Sequence, residues 1–173
     1  LLIDESASMK IDDKLSAAVS TALALSHLVH KNPKDSLSIF IFSESIKEVP
    51  YWAIVNEEAE GISTDIRAVM QAFRKRAKDK TTSRQAYLIT DTAPNTEDGQ
   101  VVGFEKASQG IIQEALRYRR EGIGLNIIML DETPYLKELA STLARKNLGR
   151  VFFSSPNRLG QVVVEDYLKV RNR

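Results

Sequence analysis

Five oxygen-bearing side chains, in three separated segments, have the types and spacing to do chemistry together. Asp4, Ser6 and Ser8 alternate along Asp4-Glu5-Ser6-Ala7-Ser8-Met9. In an extended turn, alternate side chains point the same way, so one carboxylate and two hydroxyls can converge. Thr64, within Gly61-Ile62-Ser63-Thr64-Asp65, adds a third hydroxyl, and Asp91, after Ile89-Thr90, adds a second carboxylate. These are hard oxygen donors. They suit Mg²⁺, which takes six oxygens near ~2.1 Å and keeps some of its waters, and they do not suit zinc or copper. If waters are retained, some carboxylates act through water, and a position stays open for an acidic group of a partner. Taken singly, each residue has a plainer explanation. Asp at a strand end and Ser in a loop are ordinary turn chemistry, and Thr64 alone reads as a helix cap. The weight lies in the conjunction of three segments that each supply the same atom type.

The elements that must position these side chains follow from the hydrophobic pattern. Short apolar runs alternate with helical periodicity along the whole chain. Leu1-Leu2-Ile3-Asp4 reads as the end of a buried strand, and the absence of an initial Met suggests a domain taken from a longer chain. A polar loop, 5–11, precedes a helix with Asp12 as its cap and Leu15, Val19, Ala22, Leu25 and Val29 on one face. Leu37–Phe42 reads as a strand, Ser43-Glu44 as a turn, and Ser45–Val49 as an antiparallel partner. A helix opened by Ser63, Thr64 or Asp65 buries Ile66, Val69, Met70 and Phe73. Ala86–Asp91 and Leu125–Leu130 are further strands ending at carboxylates, Asp91 and Asp131. Between them lie a polar segment, 92–104, and a helix over 105–121 that buries Ile112, Ala115 and Leu116. Thr133-Pro134 opens a helix carrying Leu136, Leu139, Ala140 and Leu143, with Gly149 just past its end. Val151–Phe153 is the last strand, and Ser155-Pro156 starts a final helix through Leu159, Val163 and Val170.

This alternation predicts an α/β fold: a doubly wound, mostly parallel six-stranded sheet with one antiparallel edge strand and helices on both faces. The 173 residues suit one domain over 1–173. In such folds ligands bind beyond the carboxyl ends of the strands, where strand order reverses. For the common order 3-2-1-4-5-6 that point lies between the first and fourth strands, which are the two ending at Asp4 and Asp91.

Composition removes several function classes. Lys plus Arg number 24 and Asp plus Glu 23, so a net charge of +1 argues against a nucleic-acid binder. With no cysteine there is no disulfide scaffold, thiolate zinc site or cysteine nucleophile, and a reducing cytoplasm is the expected compartment. No apolar run is long enough for a membrane span. The basic run Arg74-Lys75-Arg76-Ala77-Lys78-Asp79-Lys80 suits a solvated helix end, with an acidic partner surface as the other reading; Arg117, Arg119 and Arg120 allow the same two. His27 and His30 stand three apart on a helix with no strand-end carboxylate near, so they read as helix-surface residues. Tyr51 and Trp52 precede the Thr64 loop and could anchor a partner or plug the sheet edge. Together with the segment 92–104, that loop is expected to set partner choice. Glu97 and Asp98 read as solvated loop acids, with a second cation as the alternative. A haloacid-dehalogenase-like phosphotransferase would use Asp4 as nucleophile, but needs a second Asp two residues later, where Ser6 stands. No G-x-G-x-x-G follows the first strand. No general base, activated nucleophile or cofactor cradle is visible, so the chain is not expected to be an enzyme.

Asp4-Glu5-Ser6-Ala7-Ser8-Met9 resembles the D-x-S-x-S motif of von Willebrand factor A (VWA) domains. Thr64 is similar to the loop threonine of that family, and Ile89-Thr90-Asp91-Thr92-Ala93-Pro94 resembles its T-D-x-x-P element. Three motifs in the right order, on the right elements, extend the resemblance over essentially the whole chain. Ala7 and Thr92 stand where the family often has glycine. The resemblance implies a metal-ion-dependent adhesion site, with Asp4, Ser6, Ser8, Thr64 and Asp91 holding Mg²⁺ or Mn²⁺. It implies recognition of a partner protein whose carboxylate completes the metal shell. Intracellular prokaryotic members often accompany MoxR-type AAA+ ATPases or belong to chelatase complexes, so such a complex is an expected partner. A degenerate, metal-free interaction domain is the remaining alternative.

Overall fold

A computed structural model describes residues 1–78, 83–91 and 93–171. A six-stranded sheet runs in the order β3-β2-β1-β4-β7-β8, formed by β1 (Leu2–Asp4), β2 (Ile39–Phe42), β3 (Ile46–Val49), β4 (Arg84–Thr90), β7 (Ile123–Met129) and β8 (Val151–Phe153). Every pairing is parallel except that of β2 with β3. This is the predicted doubly wound α/β sheet with one antiparallel edge. Strand order reverses between β1 and β4, where Leu2 pairs with Leu88 and Ile3 with Ile89. Both strands therefore deliver their carboxyl ends to one crevice.

Alternation along the strands assigns each face its helices. Leu2, Phe40, Phe42, Leu88, Ile127 and Met129 point toward α2 (Ile66–Arg76), α3 (Phe104–Arg120) and α4 (Pro134–Lys146). Ile3, Ile39, Ile41, Tyr87, Ile89 and Ile128 point toward α1 (Lys14–His30) and α5 (Pro156–Arg171). Two cores result, one on each side of the sheet. No helix of the described residues is long and apolar enough to cross a membrane.

The helical stripes differ in detail from expectation. On α2, Ile66, Val69, Met70 and Phe73 are buried as read. On α3 the buried face is turned by about one residue: Ala107, Ile111, Ala115 and Tyr118 are inside, whereas Ile112 is half-buried and Leu116 exposed. Tyr118 reaches through the core to donate its hydroxyl to the Met70 carbonyl at 2.7 Å, so its ring rather than Leu116 fills the gap between α2 and α3. On α1, Ala18, Ala22, Leu25 and Val29 are buried, with Leu15 and Val19 only half so. α5 ends in an internal latch, where Asp166 accepts from the Tyr87 hydroxyl at 3.0 Å and pairs with Arg150 at 2.9 Å.

The segment 92–104 is not a plain loop. Asp98 and Gly99 both lie at positive φ, 51° and 77°, and join β5 (Thr96–Glu97) to β6 (Gln100–Val101) in a hairpin. An Asp-Gly pair is the favoured two-residue hairpin turn, because its twist matches that of the strands. The start of α1 also differs. Ala7–Asp13 forms 3₁₀ turns, and Asp12 and Asp13 both adopt left-handed backbone, with φ of 55° and 57°. Asp13 precedes the helix, and it makes no side-chain cap. Asp12 is therefore not the cap expected from the sequence.

Candidate metal centre

β1 ends at Asp4, whose carboxylate is fully buried. One oxygen, Oδ1, accepts the Ser6 amide at 2.8 Å, and the other, Oδ2, accepts the Thr90 hydroxyl at 2.5 Å. The first bond is an Asx turn that folds the loop back over the strand end. The second follows from register. Asp4 shares a face with Leu2 and Thr90 with Leu88, and Leu2 and Leu88 are paired across β1 and β4. A short hydroxyl-to-carboxylate bond of this kind is among the stronger hydrogen bonds.

From this anchor the hydroxyls form a chain. Ser8 Oγ donates to Asp91 Oδ1 at 2.7 Å, and Ser6 Oγ lies 3.1 Å from Ser8 Oγ. Ser8 has one hydroxyl proton and gives it to Asp91, so Ser6 is the donor to Ser8. Asp91 Oδ2 accepts the Lys14 ammonium at 2.7 Å. Asp4, Ser6, Ser8 and Asp91 are thus brought together as the sequence predicted.

Thr64 arrives on a neighbouring loop and is buried. Ser6 and Gly61 form a parallel bridge, and Ala7 donates its amide to the Gly61 carbonyl at 2.7 Å. Gly61 is required by close approach: a Cβ there would meet Ser43 Cβ at 2.2 Å. Asn95 Oδ1 accepts the Thr64 amide at 3.0 Å and fixes that residue's backbone. The open question of the α2 cap is resolved, for Asp65 Oδ1 accepts from the Ala68 amide at 2.9 Å. Its other oxygen accepts the Gly99 amide at 3.1 Å, so the hairpin is strapped to the start of α2.

Several other sequence readings are corrected or refined. Tyr51 and Trp52 do not flank this centre. Val49 pairs with Ile39, at the amino end of β2, whereas Asp4 pairs with Phe42 at its carboxyl end. The aromatic pair therefore lies at the opposite end of the sheet, where Tyr51 packs edge-on against His30 and Trp52. His27 and His30 are both exposed, and His30 Nδ1 bonds the Ser26 carbonyl at 2.8 Å. Glu97 is not a free loop acid, since it pairs with Arg67. In the basic run, Arg74 bridges to Glu114 and Glu121, and Arg76 to Glu48. Thr92, Asp79 and Lys80 lie outside the described residues. Three partners of the centre escaped sequence reading: Lys14, Asn95 and the bonding role of Thr90. Thr90 could have been found from the alternation that places it beside Asp4. Lys14 and Asn95 carry no signal without the loop paths.

Next to Asp4, Glu5 is also buried. Burial chiefly raises its carboxyl above the usual range, against the opposing pull of Lys47 at 3.9 Å. The donor chemistry fits a hard divalent cation. It comprises two buried carboxylates and a chain of hydroxyls, and Asp91 already holds one positive charge from within the chain. Among the described residues no group of three or more His, Cys, Asp or Glu side chains is placed to hold a metal.

The profile of the Rv0959-like protein vWA domain matches residues 1–168. The chain belongs to this VWA family. Relatives in Mycobacterium tuberculosis and Mycobacterium bovis, the uncharacterized proteins Rv0959 and Mb0984, are each 28% identical over 190 aligned residues. The whole chain is covered, yet it spans only 28% of the length of either relative. Solved VWA structures share the fold at low identity. The VWA domain of SpRpn10 superposes with a TM-score of 0.68 at 15% identity, covering 94% of this chain and 90% of that one. The vWF domain of the type V pili tip protein Mfa5 from Porphyromonas gingivalis gives 0.81 at 9% identity, covering 98% and 93%. The PilB minor pilin from Streptococcus sanguinis gives 0.72 at 12% identity, covering 97% of this chain and 59% of that one. In this VWA-family chain, the cluster at Asp4 and Asp91 sits at the crevice between β1 and β4.

Proposed function

We propose that this VWA domain binds one Mg²⁺ or Mn²⁺ ion and uses it to capture a carboxylate of a partner protein. The observation that carries this reading is the linked set Asp4–Thr90 and Ser6–Ser8–Asp91 at the switch point of the sheet, buried except for the half-buried Ser8. Asp4, Ser6 and Ser8 would form the base of the site, with Asp91 binding directly or through water. Thr64 would join from the adjacent loop. The bound cation supplies an electrophilic point for an anionic ligand. The chain's residues do the rest: Thr90 and the Ser6 amide aim Asp4, and Asn95 sets the Thr64 backbone. The domain acts as a binding module rather than a catalyst, since Ser6 occupies the position where phosphotransfer from Asp4 would need an acid. A MoxR-type AAA+ ATPase or chelatase-like complex in the cytoplasm is the partner class that the family resemblance supports.

The test is calorimetric titration of MgCl₂ and MnCl₂ into metal-stripped protein, beside Asp4→Ala and Ser8→Ala. One-site binding that is lost in Asp4→Ala and weakened in Ser8→Ala is expected. Heat of binding that survives both substitutions would refute the assignment. Partner capture should then disappear on adding a chelator.

A further inference from the structure

We infer that Lys14 is a built-in cation of this centre, which competes with the divalent ion for Asp91 and ties metal loading to carboxylate capture. The inference rests on the metal-binding reading above. Lys14 is the first residue of α1, where the helix macrodipole disfavours a positive charge. Helix stability does not explain a lysine there. Its ammonium instead reaches Asp91 Oδ2 at 2.7 Å, with the lysine side chain 13% and the aspartate 2% exposed. The same carboxylate's other oxygen is held by Ser8. Of the two carboxylates of the centre, one is thus aimed by Thr90 and an amide, and the other is neutralised from within.

The charge arithmetic gives the consequence. Asp4 and Asp91 with Lys14 carry a formal charge of −1. A divalent ion added beside a retained Lys14 brings the centre to +1. Excess positive charge opposes the metal and favours an anion, so the ion alone binds weakly and the ion with a carboxylate binds well. Such coupling is reciprocal: whatever factor acetate lends to the metal, the metal lends to acetate. Without the ammonium the two carboxylates would balance the ion fully, and the anion would be needed less.

The experiment compares wild type, Lys14→Met and Lys14→Arg by calorimetry with MgCl₂, with and without saturating sodium acetate. Thermal melts in EDTA and in MgCl₂ accompany it. Lys14→Met should bind Mg²⁺ about tenfold more tightly than wild type, equivalent to about 1.4 kcal/mol. Its midpoint should fall in EDTA and gain more from MgCl₂, and acetate should tighten its Mg²⁺ binding less. Lys14→Arg keeps the charge and should stay within about threefold of wild type. Mg²⁺ binding by Lys14→Met alone would support the inference most strongly. Equal or weaker Mg²⁺ binding in Lys14→Met, beside a wild type that binds and an Asp4→Ala variant that does not, would overturn the role of Lys14 alone. Absence of binding in every variant would overturn both this inference and the metal reading.

Discussion

Thr90→Val is a sharp perturbation of the centre, because it removes one hydroxyl and keeps the side-chain shape. Thr90 is 1% and Asp4 0% exposed, and their bond measures 2.5 Å. A hydrogen bond to a charged group contributes about 1.5–3 kcal/mol, and losing one donor to a buried carboxylate incurs its desolvation. Valine leaves no cavity and suits a strand, which offsets part of the loss. A net destabilisation of about 2 kcal/mol is expected. For a chain of this size each kcal/mol moves the midpoint by about 2–4 °C, so thermal unfolding in EDTA should fall by about 4–8 °C. Urea titration should give the same free energy with an unchanged slope. Thr90→Ser, which retains the hydroxyl, should lose far less. A partner that orients a metal ligand typically affects affinity by about 10–100-fold, so Mg²⁺ binding should weaken by that range in Thr90→Val. A valine variant within about 0.5 kcal/mol of wild type, with undiminished Mg²⁺ affinity, would refute the claim that Thr90 aims Asp4.

Gly61→Ala should destabilise the fold by about 1–3 kcal/mol through overpacking against Ser43 and should weaken Mg²⁺ binding through displacement of the Thr64 loop; urea denaturation and calorimetry check both. Asp166→Ala should cost about 2–3 kcal/mol in urea titration, since it strips the Tyr87 hydroxyl and Arg150 of a shared buried acceptor. Burial chiefly raises the pKa of Tyr87 and Tyr118, and that of Tyr167 to about 12, with Asp35 assisting at Tyr167. A folded pKa above the unfolded value of ~10 means that the stability contribution is complete below pH ~10 and is lost as pH rises toward 12. Phenolate absorbance should thus lag behind model tyrosine, and the folding free energy should decline over that interval, with a shallower decline in Tyr167→Phe.

Much of this architecture was legible because burial and periodicity agree. Strands such as Ala86-Tyr87-Leu88-Ile89 are apolar on both sides, as a sheet covered on two faces demands. Asp4 and Asp91 could be placed together because strand ends and sheet order are governed by general rules. Legibility failed where a residue's role depends on a path through space. Leu116 fits the α3 stripe as well as Ile111 does, and only the reach of Tyr118 to Met70 decides which face turns inward. Trp52 is near Thr64 in sequence but at the far end of the sheet, because β3 runs antiparallel and carries the chain away before the loop returns. The hairpin at Asp98-Gly99 was signalled by its dipeptide, yet its strands are only two residues each, too short for alternation to show. Lys14 sits in a helix start where no rule asks for a cation.

The bonds that build the centre join residues far apart in the chain, 86 positions for Thr90 to Asp4 and 83 for Ser8 to Asp91. Neither can form until three-residue β1 has been laid between β2 and β4. Closing such distances costs chain entropy before any contact repays it, and parallel pairing is slow for that reason. The proposed cation site can be complete only once β1 and β4 are paired, and a chain interrupted before β4 lacks it altogether. A divalent ion that binds only the finished centre should slow unfolding while leaving the refolding rate unchanged, and stopped-flow refolding with and without MgCl₂ checks this. Metal-dependent capture would then be a property of finished molecules only, so a partner that reads the ion also reads whether the domain has folded.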